Sequence, residues 1–225
     1  MPEVFPREFY EELVSHLPER DAYAPISDVR PVTKRYGTTR SIMMLRPEAV
    51  AKLPERARTA WDHLGRTLFL GEFTNMLLYR FKPLLEERFG NVGNVEFYHE
   101  GMLVRDDTGY DLGPHTDAPR KVISALFYLP RDASRPHLGT SIYVPTDRQF
   151  TCPGTRHHPF DDFERVRTMP YVPNAMFAFL KTANSFHGVE PVAEANAPRD
   201  LLLYDIYHRE SATRPTMAPA AAPAT

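Results

Sequence analysis

The apolar positions of the first ninety residues recur at helical spacing. Phe9, Leu13 and Leu17 fall at i, i+4 and i+8, with Tyr10 and Val14 beside them. This predicts an amphipathic helix entered through Pro6 and ended near Pro18. Ala57, Trp61, Leu64 and Leu68 share one face of a second helix over 54–70. A third spans 73–89 and stops at Gly90; Pro83 lies inside it and should kink or split it. Residues 19–54 otherwise read as irregular, with a candidate strand over 39–45.

After Gly93 the texture changes. Short β-type runs separated by turn residues occur at 95–104, 121–129, 140–144, 175–180, 185–189 and 201–207, with 115–117 leading into the second. Strands this short and this evenly spaced predict a mainly β fold with flanking helices, its core a sandwich or jelly roll. The helices would cover one outer sheet face. The expected organisation is a helical portion over 1–92, a β core over 93–210 and a disordered Pro/Ala-rich tail over 211–225. Residues 151–174 are rich in Pro, Arg and Asp without a period. They read as a long surface loop that could close over a site.

Charge and composition narrow the function. With 27 basic and 29 acidic residues the net charge is −2. This argues against a nucleic-acid face and a polybasic membrane anchor. One cysteine, Cys152, excludes an internal disulfide and a cysteine zinc knuckle. The start, MPEVFPREFYEEL, is acidic where a signal peptide is basic, and no run of about 18 apolar residues occurs. A reducing, cytoplasmic setting is expected.

His115-Thr116-Asp117 is the first candidate for chemistry. On a strand, residues i and i+2 share a face, so both side chains can reach one metal. Read alone, the tripeptide also suits a turn histidine beside a capping aspartate. His187, at the start of a later strand, adds a second imidazole; it also suits a buried structural role. Two histidines and a carboxylate make a facial triad, the set suited to non-haem Fe(II) oxygenases. Arg199 stands at the root of an apolar strand, where its fixed charge needs an anionic partner. That partner can be a ligand carboxylate or an internal Asp or Glu.

Together these residues resemble the Fe(II)- and 2-oxoglutarate-dependent dioxygenase superfamily, in its prolyl-hydroxylase-like branch. The segment PHTDAPRKVISALFYLP resembles the family's metal strand and the core strand after it. LGTSIYVP is similar to the strand usually opened by Gly-Gly, and HGVEPV to the family's His-Gly-Val-x-x-Val. The resemblance covers residues 93–208. It implies a double-stranded β-helix (jelly roll) with Fe(II) on His115, Asp117 and His187. 2-Oxoglutarate would chelate the metal, with its distal carboxylate on Arg199. Tyr128 matches a tyrosine that often helps bind that carboxylate, although it also suits the core. Ser124 shares its face by strand parity and could line the same pocket.

Three departures stand out. Leu201 replaces a serine often found two residues after the arginine, Thr140 replaces the second Gly, and the His187-to-Arg199 offset is slightly long. Asp117, rather than Gly or Ala, argues for hydroxylation over halogenation. The reaction implied uses O2 and hydroxylates a C–H bond of a small metabolite, releasing succinate and CO2. Arg105 and Tyr110 are candidate substrate contacts that also suit the surface, the reading favoured for each alone. Arg156, His157 and Arg165 would meet an anionic substrate if the 151–174 loop closes. Competing readings are a non-catalytic jelly-roll binding or sensing module and a zinc hydrolase on the same His2Asp site. No HExxH-like motif supports the hydrolase. A nucleic-acid repair oxygenase lacks a basic, aromatic strand-binding patch. Oligomeric state is not legible.

Overall fold

The computed structural model describes residues 1–29, 38–195 and 198–209. The Pro/Ala-rich segment 211–225 lies outside the described residues. The helices are α1 (Arg7–Ser15), α2 (Ile26–Val29), α3 (Pro47–Val50), α4 (Glu55–Phe69), α5 (Glu72–Arg80) and α6 (Lys82–Phe89). Pro83 acts as the sequence predicts: the third helix breaks at Phe81, and the proline sits in the first turn of α6, where its missing amide costs nothing.

The strands are β1 (Ala24–Pro25), β2 (Arg40–Met44), β3 (Phe97–Asp106), β4 (Leu112–His115), β5 (Lys121–Tyr128), β6 (Thr140–Pro145), β7 (Phe163–Met169), β8 (Met176–Leu180), β9 (His187–Val189) and β10 (Arg199–His208). They form a six-stranded sheet, β1-β2-β3-β10-β5-β8, and a four-stranded sheet, β4-β9-β6-β7. All pairings are antiparallel. The 151–174 segment is not one long loop: β7 pairs with β6 within it.

Strand parity sorts the large sheet into two faces. Leu103, Ile123, Ala125, Phe127, Leu202, Tyr204 and Ile206 pack against Leu13, Trp61, Leu64 and Leu68 of α1 and α4, forming the core beneath the helices. Ile42, Met102, Val104, Leu126, Tyr128 and Leu201 face inward and meet Leu112 and Val189 of the small sheet. This layout matches the jelly-roll expectation.

The inward face of the large sheet is ordered in rows. Arg40, Asp106 and Arg199 lie directly opposite one another on β2, β3 and β10. Two apolar rows follow, Ile42–Val104–Leu201–Tyr128 and Met44–Met102–Leu203–Leu126. The fourth row is Glu100–Asp205–Ser124. Charged rows thus bracket an apolar middle.

Candidate metal and carboxylate site

His115 ends β4 and His187 begins β9, and the two are paired in register on the small sheet. Their rings lie 4.3 Å apart. Asp117 follows two residues after β4 and reaches toward the large sheet. One ligand atom from each of His115, Asp117 and His187 falls within 4.8 Å of the others, and all three residues are buried.

The histidines are set for ligation by their own backbone. His115 Nδ1 lies 3.1 Å from the Gly113 carbonyl, and His187 Nδ1 3.0 Å from the Ser185 carbonyl. A carbonyl can only accept, so each Nδ1 carries the proton and each Nε2 keeps a lone pair. Burial pushes both imidazoles below their ordinary pKa; for His115 the neighbouring His187 adds to the shift. Both therefore stand in the neutral, metal-binding form. Burial alone would raise the Asp117 carboxyl. Lys121, the two histidines and the Ser124 hydroxyl outweigh it and hold the group well below the usual carboxylate range. Two neutral imidazole nitrogens and one ionised carboxylate fit a divalent iron with open positions.

The carboxylate is held on both oxygens. Ser124 Oγ donates to Asp117 Oδ2 at 2.8 Å. Lys121 Nζ lies 3.2 Å from Oδ1 and 3.0 Å from Asp205 Oδ2. Burial would lower the lysine's pKa, but the two carboxylates outweigh it and raise it. Ser124 lines the inner chamber, as strand parity placed it, and there its hydroxyl is directed at the Asp117 carboxylate.

At the other charged row, Arg199 is fully buried. Its Nη1 lies 2.7 Å from Asp106 Oδ2, its Nη2 donates to Thr140 Oγ1 at 3.1 Å, and its Nε donates to the Leu138 carbonyl. Asp106 also takes both arms of Arg40, Nε at 2.6 Å and Nη2 at 2.9 Å. The Arg40 guanidinium stacks 4.3 Å from the centre of the Tyr110 ring. An inner chamber of about 90 Å³ touches Arg40, Thr140 and Arg199 as well as the His115–Asp117–His187 triad. It adjoins an outer cavity of about 800 Å³, within the range of small-molecule sites, walled by Ile42, Met44, Met102 and Val104.

The remaining expected residues do not line the chamber. Tyr128 is buried beside Arg199, whose guanidinium lies 5.8 Å from its ring centre, and its hydroxyl accepts from the Thr140 amide at 3.1 Å. Arg105 is next to inward-facing Asp106 on β3, so parity turns it toward the helices. There it pairs with Asp200 at 2.7 Å and lies over Tyr23. Tyr110 is fully buried under Arg40, supporting the cavity rather than lining it. Arg165 points outward to Glu190 at 2.8 Å, and Arg156 lines a separate surface pocket. Of that trio only His157 lines the outer cavity, its ring 4.6 Å from that of His115.

The segment carrying His157 is tied down. Thr155 and His158 amides donate to the Thr116 and Pro114 carbonyls, and Thr116 Oγ1 donates to the Cys152 carbonyl. It forms a wall along β4 and the residues after it.

Sequence reasoning missed Arg40, Asp106, Lys121 and Asp205. The first two carried a signal, charges at the ends of strongly apolar strands. Lys121 carried none. Its parity places it with Ile123, facing the helices, but a bulge at Val122 turns it inward.

No family model and no curated protein matches this chain. Solved structures do. A Pseudomonas putida prolyl-4-hydroxylase is similar over 93% of this chain and 91% of its own, at 18% identity and a TM-score of 0.54. SnoN, a non-haem α-ketoglutarate-dependent epimerase of nogalamycin biosynthesis, is similar over 92% of this chain and 74% of its own, at 14% identity and a TM-score of 0.51. A structure of SnoN with Fe3+, α-ketoglutarate and nogalamycin RO aligns at a TM-score of 0.50, with 13% identity over 92% of this chain and 77% of that one. At these identities the likeness establishes the fold, the jelly roll shared by these 2-oxoglutarate-dependent enzymes.

Proposed function

We propose that this chain is a non-haem Fe(II)- and 2-oxoglutarate-dependent oxygenase that hydroxylates a C–H bond of a small molecule. One observation carries the reading: a buried His-Asp-His triad and a buried arginine row line the same chamber. A 2-oxo dicarboxylic acid has a chelating end and an anionic end, and the chamber offers a partner for each. Iron with 2-oxoglutarate and O2 supplies the oxidising power, two electrons coming from 2-oxoglutarate, which leaves as succinate and CO2, and two from the substrate.

The chain's own residues do the rest. His115, Asp117 and His187 hold the metal; Ser124 and Lys121 fix the Asp117 carboxylate. Arg199 pairs with the distal carboxylate of 2-oxoglutarate. Leu126, Leu201 and Leu203 keep the chamber apolar, which strengthens that pairing. The outer cavity receives the substrate, and its volume favours a metabolite-sized molecule. SnoN's complex with nogalamycin RO supports a small-molecule substrate in this fold. Among the described residues no helix is long and apolar enough to cross a membrane.

The test is aerobic incubation of Fe(II)-loaded protein with 2-oxoglutarate and a mixed metabolite pool. Succinate should accumulate while one component becomes one oxygen atom heavier, and Asp117→Ala should abolish both. 2-Oxoglutarate binding without succinate would favour the non-catalytic module. Hydrolytic products from zinc-loaded protein would favour the hydrolase.

A further inference from the structure

Arg199 has the internal carboxylate Asp106 as its partner, but the serine that the family resemblance places two residues on is missing. Two residues on, Leu201 lines the chamber and brings no hydrogen-bond donor. Tyr128, whose hydroxyl accepts from the Thr140 amide, does not line the chamber. We infer that Arg40, delivered by β2, is the second cation on the distal carboxylate of 2-oxoglutarate, and that Asp106 is the brace holding the two guanidinium groups in place. This rests on the oxygenase reading above.

Four features carry the inference. First, Arg40 and Arg199 both lie directly opposite Asp106, so pairing register, not chance rotamers, brings them together. Second, Asp106 Oδ2 accepts from Arg40 Nη2 and Arg199 Nη1 at once, so those two nitrogens stand side by side. Third, both arginines line the inner chamber, and Arg40 also lines the outer cavity; it stands where the two meet. Fourth, within this trio two fixed cations face one anion. Guanidinium groups cannot shed their protons, so the trio itself keeps a positive charge against apolar walls. A carboxylate entering the chamber complements that charge.

The brace explains why the arrangement folds without ligand. Two buried guanidinium groups alone would repel each other in a poorly screened site. A fully buried carboxylate between them offsets the repulsion and orients both forks. Arg199 has five N–H bonds and three partners, leaving two donors for a ligand. Tyr110, stacked on Arg40, limits its swing.

The experiment compares two cosubstrate probes bound anaerobically to Fe(II)-loaded protein and followed by the visible charge-transfer band of the chelate. One is 2-oxoglutarate; the other is 2-oxovalerate, with the same chelating end but no distal carboxylate. Arg40→Met should weaken 2-oxoglutarate about 10- to 100-fold, the loss of one charge-assisted contact. It should leave 2-oxovalerate within about twofold. Arg40→Lys, which keeps the charge and is gentler on folding, should give a smaller loss confined to 2-oxoglutarate. Equal weakening of both probes, or of neither, would overturn the inference. So would recovery of 2-oxoglutarate affinity in an Arg40→Met/Asp106→Asn double variant, because Arg40 would then act only by occupying Asp106. A wild-type protein with no band for either probe removes the oxygenase reading itself, a different failure.

Discussion

Replacing Ser124 by alanine removes one hydrogen bond and almost no volume. The Ser124 hydroxyl donates to Asp117 Oδ2 at 2.8 Å, with 4% of Ser124 and 9% of Asp117 exposed. A hydrogen bond to an ionised group in such a place contributes about 1.5–3 kcal/mol. At about 1.4 kcal/mol per tenfold, that predicts metal binding weakened by roughly 10- to 100-fold, the range typical for lost outer-shell contacts. Calorimetric titration of the apo protein with Mn(II) or Co(II) measures it without oxygen chemistry. At saturating metal, the affinity for 2-oxoglutarate should be unchanged. An unchanged metal affinity would refute the reasoning. A loss confined to 2-oxoglutarate would give Ser124 a direct contact with the cosubstrate instead.

Three further substitutions probe the rest of the account. Lys121→Met leaves Asp117 and Asp205 as two buried carboxylates without their shared cation, so the apo protein should lose about 3–5 kcal/mol; because a bound metal supplies a replacement cation, the rise in melting temperature on adding Mn(II) should exceed that of the wild type. Arg105→Met strands the buried Asp200 carboxylate and should lower the melting temperature, yet turnover per folded molecule should match the wild type, which a substrate-binding arginine would not allow. Gly154→Ala adds a Cβ that would sit 2.2 Å from the Asp117 carbonyl, at a backbone φ of 138° that suits glycine; metal affinity should fall, and an unchanged affinity would mean that the 151–159 wall is not coupled to the ligand strand.

What could be read in the sequence follows from what is local. Helix faces, the Pro83 break and most of the short strands are written in nearest-neighbour patterns and formed close to where the pattern placed them, whereas α2, α3 and β7 were not foreseen and β4 ends at His115, before Asp117. His115, Asp117 and His187 were singled out because their types and spacing carry chemistry, and the fold brings their side chains together. Roles that depend on register were harder. Ser124 was placed on the correct face, but its partner is fixed by where β4 ends, which periodicity does not encode. Arg105 was left open between a substrate contact and the surface because only the inward turn of Asp106 says which way its neighbour faces. The 151–174 segment hid β7, whose exposed, charged side chains mask its alternation. Lys121 turns on a single bulge. Arg40 lies 159 positions before Arg199, and sheet pairing alone brings them together.

The most direct measurement needs no substrate. Fe(II) and 2-oxoglutarate are added anaerobically to the wild type, Asp117→Ala and Arg199→Ala, and the visible charge-transfer band of the chelate is recorded. The account predicts a band in the wild type, its loss in Asp117→Ala, and a much higher 2-oxoglutarate requirement in Arg199→Ala. Folded, metal-loaded wild-type protein that shows no band would contradict it.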